Sequence, residues 1–340
     1  MLKNNYTEIK KSLSFSSEIT SIPIWPLQFS VIRFVFRVEA DMPVGTVPSE
    51  VFRGALGIGL KTASCHRGQD CKVQCEAYIP CAYGYLFEGR HPKKNFLQLN
   101  QEVPRPFVIR ASSSELHGIF RKDCVYAIEL ILFGDACNFV KECFEAFQVL
   151  AQQGMGLKER ATFVFIKIES LTTNGRWQLL QASEILEKRN APPLLTVQDI
   201  LSWVGPVPDQ VTLVFYTPLA LKSDGQLVKK PTAGQLLRRL RDRASSLGKL
   251  YCSKTLENFD FKAFGNQADM LKSSWLSWEW KEGKRFSSHT KQFHPVTGAL
   301  GMLKVDGNLA PFWGLLSLGQ YVHVGRQTVL GHGGYYLKRN

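Results

Sequence analysis

Residues 323–336 read HVGRQTVLGHGGYY, and this stretch decides how the second half of the chain folds. Gly325, Gly331, Gly333 and Gly334 place four glycines in ten residues, a density that suits a tight backbone path rather than a helix or a strand. Before it, Leu309–Leu318 has a helical pattern; after it, Tyr335–Lys338 reads as a strand. The stretch is then a glycine turn between a last helix and a last strand. Working outward, Val211–Leu221 (VTLVFYTPLAL) and Val296–Val305 read as strands. Thr232 and Gln235 form a capping-box pattern opening a helix to about Leu247, which buries Leu236, Leu237, Leu240, Ala244 and Leu247. Residues 257–283 read as irregular and Trp-rich.

The first half repeats the order. Val31–Glu39 is a half-exposed strand, and Ser49–Ala63 has helical spacing that its glycines weaken. Pro106–Arg110 and Cys124–Phe133 read as strands. Asp135 is placed to cap a helix running to about Gln153. Gly154-Met155-Gly156 ends it, and Ala161–Ile168 is a strand. Each half follows β-α-β-β-α-β, so the fold class expected is α+β, with two tandem ferredoxin-like (RRM-like) domains. The divisions expected are a loose terminus (1–22), a first domain (23–170) with a cysteine-rich insert (65–81), a linker (171–208) and a second domain (209–340).

Length and composition suit this. The chain has 340 residues, enough for about two domains, and 44% are hydrophobic, which excludes disorder as the main state. Lys and Arg number 42 against 29 Asp and Glu, a net charge of +13. Residues 222–250, 281–304 and 321–340 together hold 16 basic and 3 acidic side chains, so the whole excess lies there and the other 267 residues are neutral. A polyanion is the partner this implies, nucleic acid or an anionic membrane surface. No stretch suits a membrane span: the longest uncharged one, Gly307–Gly325, contains Asn308, Pro311, Gln320, His323 and four glycines. No apolar region follows Lys3, Lys10 and Lys11, which argues against a secretory signal. The expected location is the cytoplasm, with reduced cysteines.

Cys65, Cys71, Cys75 and Cys81 are spaced C-x5-C-x3-C-x5-C. Four thiols so placed can close a structural zinc site with no open position for water; an iron–sulfur cluster and unliganded thiols are the other readings. Cys124, Cys137, Cys143 and Cys252 sit in apolar patterns and read as core. The glycine-rich stretch is neither a Walker loop nor a dinucleotide fingerprint. Spacing alone does not choose between a phosphate cradle and a plain turn. Trp275, Trp278 and Trp280 precede the basic segment 281–304; they can stack unpaired bases or form one buried strand face.

Several pieces, in order, resemble the CRISPR repeat-processing endoribonucleases of the RAMP superfamily, the "Cas six" family. They are residues 51–57 (VFRGALG), the cysteine cluster ending CAYGYLFE at 81–88, GMGL at 154–157, TPL at 217–219, RFSS at 285–288, GALG at 298–301, and the 323–336 stretch. The resemblance spans about 300 residues. It implies two ferredoxin-like folds, a glycine-rich RNA-binding loop, and metal-independent cleavage of CRISPR precursor RNA within its repeats. No cofactor is implied for catalysis. The 2′-hydroxyl would attack the adjacent phosphate, giving a cyclic phosphate and a 5′-hydroxyl. The partners implied are CRISPR repeat RNA and other CRISPR effector-complex proteins.

Such a reaction needs a base, an acid and cations for the phosphorane charge. His289 and His294 flank Lys291 in the basic segment, and His66 follows the first helix; these histidines suit the proton roles. Arg53 and Lys61 on the first helix are candidates for charge stabilisation. Arg238, Arg239, Arg243, Lys284, Arg285 and Arg326 are the phosphate contacts expected, together with the backbone of Gly325, Gly331, Gly333 and Gly334. His323 and His332 either contact RNA or pack. Two rivals stay open: a non-catalytic subunit that holds crRNA in an effector complex, and a zinc-containing nucleic-acid-binding regulator built on the four cysteines.

Overall fold

Phe29–Val38 (FSVIRFVFRV) is filled with aromatic and β-branched residues, a composition that suits a pleated, packed surface. In the computed structural model it forms β1, the centre of a first sheet. The structure describes residues 25–65, 81–88, 103–111, 118–157, 159–187, 191–223, 225–287 and 292–339. After β1 come β2 (Met42–Gly45), α1 (Pro48–Ser64), α2 (Ala82–Leu86), β3 (Phe107–Ala111), β4 (Gly118–Phe120), β5 (Val125–Phe133), α3 (Val140–Gln153), β6 (Phe163–Leu171) and β7 (Trp177–Leu180). The sheet order is β3-β5-β1-β6-β7, with every neighbour antiparallel. Leaving aside β7, this is the order a β-α-β-β-α-β chain makes.

Phe34 and Phe36 point to one face, where Phe36 meets Phe52 of α1 and Phe34 meets Phe147 of α3. The glycines that weaken α1 on propensity are contact points. A Cβ on Gly59 would lie 2.7 Å from the Ala146 carbonyl of α3, and one on Gly57 would lie 2.9 Å from the Phe87 ring. Close helix approach outweighs propensity here.

The second half runs α4 (Ala182–Leu186), α5 (Val197–Val204), β8 (Gln210–Leu219), β9 (Leu221–Ser223), β10 (Gln226–Val228), α6 (Ala233–Tyr251), α7 (Phe261–Asp269), β11 (Lys272–Ser287), β12 (Gln292–Asp306), α8 (Trp313–Val322) and β13 (Tyr335–Arg339). Its main sheet is β11-β12-β8-β13, the same antiparallel order again. Thr232 caps α6 reciprocally with Gln235, and the five residues expected on its buried face are buried.

Three expectations need correction. Residues 257–283 are not irregular: they hold α7, capped by Asp260, and most of β11. A register shift between Trp275 and Ser277 breaks the alternation that would have revealed the strand. Asp135 does not cap α3; it lies in a 3₁₀ turn (Gly134–Phe139) that leads into the helix. Residues 171–208 are more than a linker, since they carry β7 on the sheet edge and α5 packed against α8. No described helix is long and apolar enough to cross a membrane.

The other face of the first sheet carries a buried charge network. Strand register places Arg33 of β1, Glu129 of β5 and Arg110 of β3 side by side. Arg33 donates to Glu129 Oε1 through Nε at 3.1 Å and Nη2 at 2.6 Å, and Arg110 Nε donates to Oε2. Arg110 also donates from Nη1 to the Gln320 carbonyl of α8 (3.0 Å), which ties the network to the second half. Burial alone would raise the Glu129 carboxyl, but Arg110 and Arg33 outweigh it and hold it below its ordinary value of 4.5. A depressed folded pKa contributes stability at neutral pH that is lost as pH falls through and below that range. Glu129→Gln should therefore flatten the acid side of the stability curve, read by thermal melting between neutral pH and pH ~3. Glu129→Ala, which leaves two guanidiniums unpaired, should cost about 3–5 kcal/mol in chemical denaturation at neutral pH.

Candidate functional site

The glycine-rich stretch faces inward. Gly331 stands where a Cβ would fall 2.0 Å from Ser49 Oγ at the start of α1, and Ser49 Oγ donates to the Leu330 carbonyl at 2.7 Å. A Cβ on Gly333 would lie 1.7 Å from the Val324 carbonyl. The Gly331, Gly333 and Gly334 amides donate to Thr328 O, Pro218 O and Thr217 Oγ1. The phosphate cradle expected of these three glycines is thus not what the loop forms, because their N–H groups are used within the protein. Gly325 and Arg326 stay toward the surface, and Arg326 is exposed.

Both loop histidines are buried. His323 has φ +57° and ψ +169°, backbone space that L-residues rarely occupy. Its ring is held at both nitrogens. Burial, with Arg110 and Arg243 nearby, pushes its pKa down to about 3, so the ring is neutral. A neutral ring has one donor and one acceptor. Nδ1 donates to the His332 carbonyl, and Nε2 accepts from the Tyr216 hydroxyl, each at 3.2 Å. His332 Nε2 lies 2.6 Å from Glu50 Oε1 on the first turn of α1. The loop therefore clamps the second half onto the helix that carries Arg53.

The α6 arginines mostly serve the fold. Arg238 forks onto Asp269 and the Gly265 carbonyl; Arg239 donates to Lys222 O. Arg243 is turned inward, with Nε donating to the Val322 carbonyl at 2.7 Å. Burial lowers its pKa to about 10. It sits at the C-terminal carbonyls of α8, where a cation is favoured, and is not aimed at solvent as a phosphate contact would be.

A different set of cations converges at the seam between the halves. Arg53 projects from the middle of α1, one turn beyond Glu50, with its guanidinium 4.7 Å from the Phe87 ring centre. Phe87 stacks on Tyr83, whose ring also has Lys61 Nζ 4.5 Å from its centre and whose hydroxyl donates to Glu88 at 3.0 Å. Arg53 is held below its ordinary value first by burial and then by Arg285 and Arg105, with Tyr83 and Glu88 partly offsetting. Arg285 comes from β11 in the second half; Arg105 precedes β3. The Nε atoms of both Arg53 and Arg285 are buried without a hydrogen-bond partner among the described residues. Three guanidiniums close enough to repel, two with an unused buried N–H, form an arrangement that an anion would relieve. His294 of β12 lies directly opposite Arg285 in the hairpin register, and Gln327 of the glycine-rich loop donates to the adjoining Pro295 carbonyl at 3.4 Å. Lys284 is exposed on the same strand. The structure thus brings together Arg53, Arg285 and His294, which are far apart in sequence.

Two family models match parts of the chain. A model for the CRISPR-associated endoribonuclease Cas6 matches residues 213–335, and one described as an N-terminal domain matches residues 27–193. Over its C-terminal part, the chain is similar to the Cas6 family. The Cas6 match runs from β8 to β13 and so takes in the hairpin and the glycine-rich loop. Among solved structures, a Cas6 product complex is 13% identical at a TM-score of 0.55, over 92% of this chain and 99% of that one. Thermus thermophilus Cas6 is 12% identical at 0.50, with the same coverage. A chain of a partial Cas6-RT-Cas1–Cas2 complex is 13% identical at 0.56, over 94% of this chain and 47% of that one. At these identities the likeness is one of fold. No curated protein matches the chain in sequence.

Not every candidate falls on the described part of the chain. His66, His289 and Lys291 lie outside the described residues, as do Cys71 and Cys75. Cys65 ends α1, and Cys81 caps α2, its Sγ accepting from the Gly84 amide at 3.2 Å. Among the described residues no three metal-ligating side chains cluster, so the zinc reading rests on spacing. Arg105 is the residue that sequence reasoning missed. Its signal was local: a lone cation between Pro104 and Pro106, on a backbone with little freedom. The Glu50–His332 clamp is open to a double-mutant cycle. Glu50→Ala and His332→Ala should each destabilise the protein in denaturant titration, and the double variant should show a coupling of roughly 0.5–3 kcal/mol.

Proposed function

We propose that the chain cleaves CRISPR precursor RNA within its repeats, with the scissile phosphate at the seam between the two halves. The observation that supports this most directly is the pairing of His294 with Arg285 on a hairpin that converges on Arg53. In this reading Arg53, Arg105 and Arg285 hold the phosphate and stabilise the extra negative charge as the 2′-oxygen adds to phosphorus. The 2′-hydroxyl loses its proton to a base, the P–O5′ bond breaks, and the leaving 5′-oxygen takes a proton from an acid. The products are a 2′,3′-cyclic phosphate and a 5′-hydroxyl. His294 is assigned one of the two proton roles; His66, His289 and Lys291 are the candidates for the other. A structural zinc on Cys65, Cys71, Cys75 and Cys81 would leave these roles unchanged, since four thiolates close its coordination.

Two features support RNA as the partner. The basic excess falls in segments that include the hairpin and the loop, and the fold matches that of Cas6 chains solved as a product complex and within a Cas6-RT-Cas1–Cas2 assembly. Other CRISPR proteins are the protein partners this suggests.

Incubation with CRISPR repeat RNA in EDTA tests the reaction. Cleavage leaving a cyclic phosphate is expected, with a loss of 10²-fold or more in His294→Ala, the scale of a general acid or base. Intact RNA held tightly by the unaltered protein would mean a crRNA-holding subunit instead. Binding carries its own signature. Affinity should fall steeply with salt, and Arg53→Ala and Arg285→Ala should each reduce the slope of log K against log salt by about one.

A further inference from the structure

The β11–β12 hairpin has a second face that the cleavage site does not use. Side chains alternate along a strand, and no register shift interrupts β11 after Ser277. Trp278, Trp280 and Lys284 therefore share one face, and Arg285 takes the other. Opposite the two tryptophans β12 carries only Gly301 and Ala299, so the indoles lie across small neighbours. Both are half-buried, in contrast to Trp25 and Trp313, which lie in the core. Their indole N–H groups are committed: Trp278 donates to the Lys229 carbonyl at 2.9 Å and Trp280 to Glu282 at 3.0 Å. What remains to offer is ring surface. Lys230 Nζ lies 4.8 Å from the Trp278 ring centre, and Lys229, Lys230 and Lys284 are all exposed. Glu282 is the one acidic side chain sharing that strand face.

Indole faces ringed by lysines fit unpaired bases with phosphates alongside: the ring stacks on any base, and the cations follow the backbone. β11 is the edge strand of its sheet, so a chain can pass from one face to the other around that edge. Trp280 and Arg285 are five residues apart, about 17 Å of strand. We propose that Trp278 and Trp280, with Lys229, Lys230 and Lys284, form a stacking platform for single-stranded RNA adjoining the segment at Arg53 and Arg285. The proposal rests on the RNA reading of the hairpin's other face and adds a separate contact to it.

A labelled 20-nucleotide oligouridylate and the full-length chain, measured by fluorescence anisotropy at low salt, provide the test. Trp280→Ala and Trp278→Ala should each weaken binding roughly 5- to 150-fold, the range for a lost base stack. Trp280→Phe should keep most of the affinity, and melting curves would show that the variants fold. Ultraviolet crosslinking of the same oligomer carrying 5-iodouridine should map to the peptide that contains Trp278 and Trp280. If the tryptophan variants bind like the parent while Arg53→Ala and Arg285→Ala weaken, the platform is wrong and the phosphate site stands. Crosslinks that fall only elsewhere also overturn it. If the unaltered chain does not bind oligouridylate, the platform falls, while the RNA reading stands or falls on binding and cleavage of repeat RNA.

Discussion

One close approach makes the rest of this molecule possible. Gly331 lies against Ser49, at a distance only a residue without a side chain allows, and the neighbouring His332 meets Glu50. These contacts join a loop between the last helix and last strand to the first turn of the first long helix. Arg53 stands one turn further along that helix, so its position relative to Arg285 follows from where the loop docks. Arg110, held by Glu129 and reaching the α8 carbonyl of Gln320, fixes the same seam from the first sheet. A cation from each half can meet at one point because the seam is closed by buried polar contacts rather than by a flexible tether.

Much of the architecture was legible because local signals agreed with the global fold. Thr232 with Gln235, the leucines of α6 and the apolar run in β8 each announced their element. The failures have physical causes. β11 was hidden because its register shift beside Trp275 breaks the period-two pattern. Asp135 looked like a cap, yet the chain enters α3 through a 3₁₀ turn that needs none. The glycine-rich stretch lies between the last helix and the last strand, as its position in the sequence implies, but its inward direction depends on Ser49 and Ile109, residues over 200 positions away. No periodicity in one stretch of chain can report a contact of that range.

Charge was the least reliable guide at the level of single residues. Segment counts marked the second half as basic, but Arg238, Arg239, Arg241 and Arg243 on α6 all donate to acceptors within the chain. At the seam, Arg53 and Arg285 each keep a buried Nε without a partner among the described residues, and Arg53 and Arg105 come from outside the three basic segments. A net-charge count gives every arginine equal weight. Desolvation and hydrogen bonding do not, and they decide which cations remain to meet a partner.

The placement of β11 has a bearing on how the protein behaves in solution. It is a 16-residue strand at the open margin of its sheet, and such a margin presents unpaired amides and carbonyls to any extended chain that arrives. Lys272, Glu279, Lys281, Glu282, Lys284 and Arg285 punctuate it with charge. A neighbouring copy that added a strand there would have to strip water from these charged side chains. The residues that make this margin attractive to a polyanion thus also act as gatekeepers, keeping one molecule's sheet from growing onto the next.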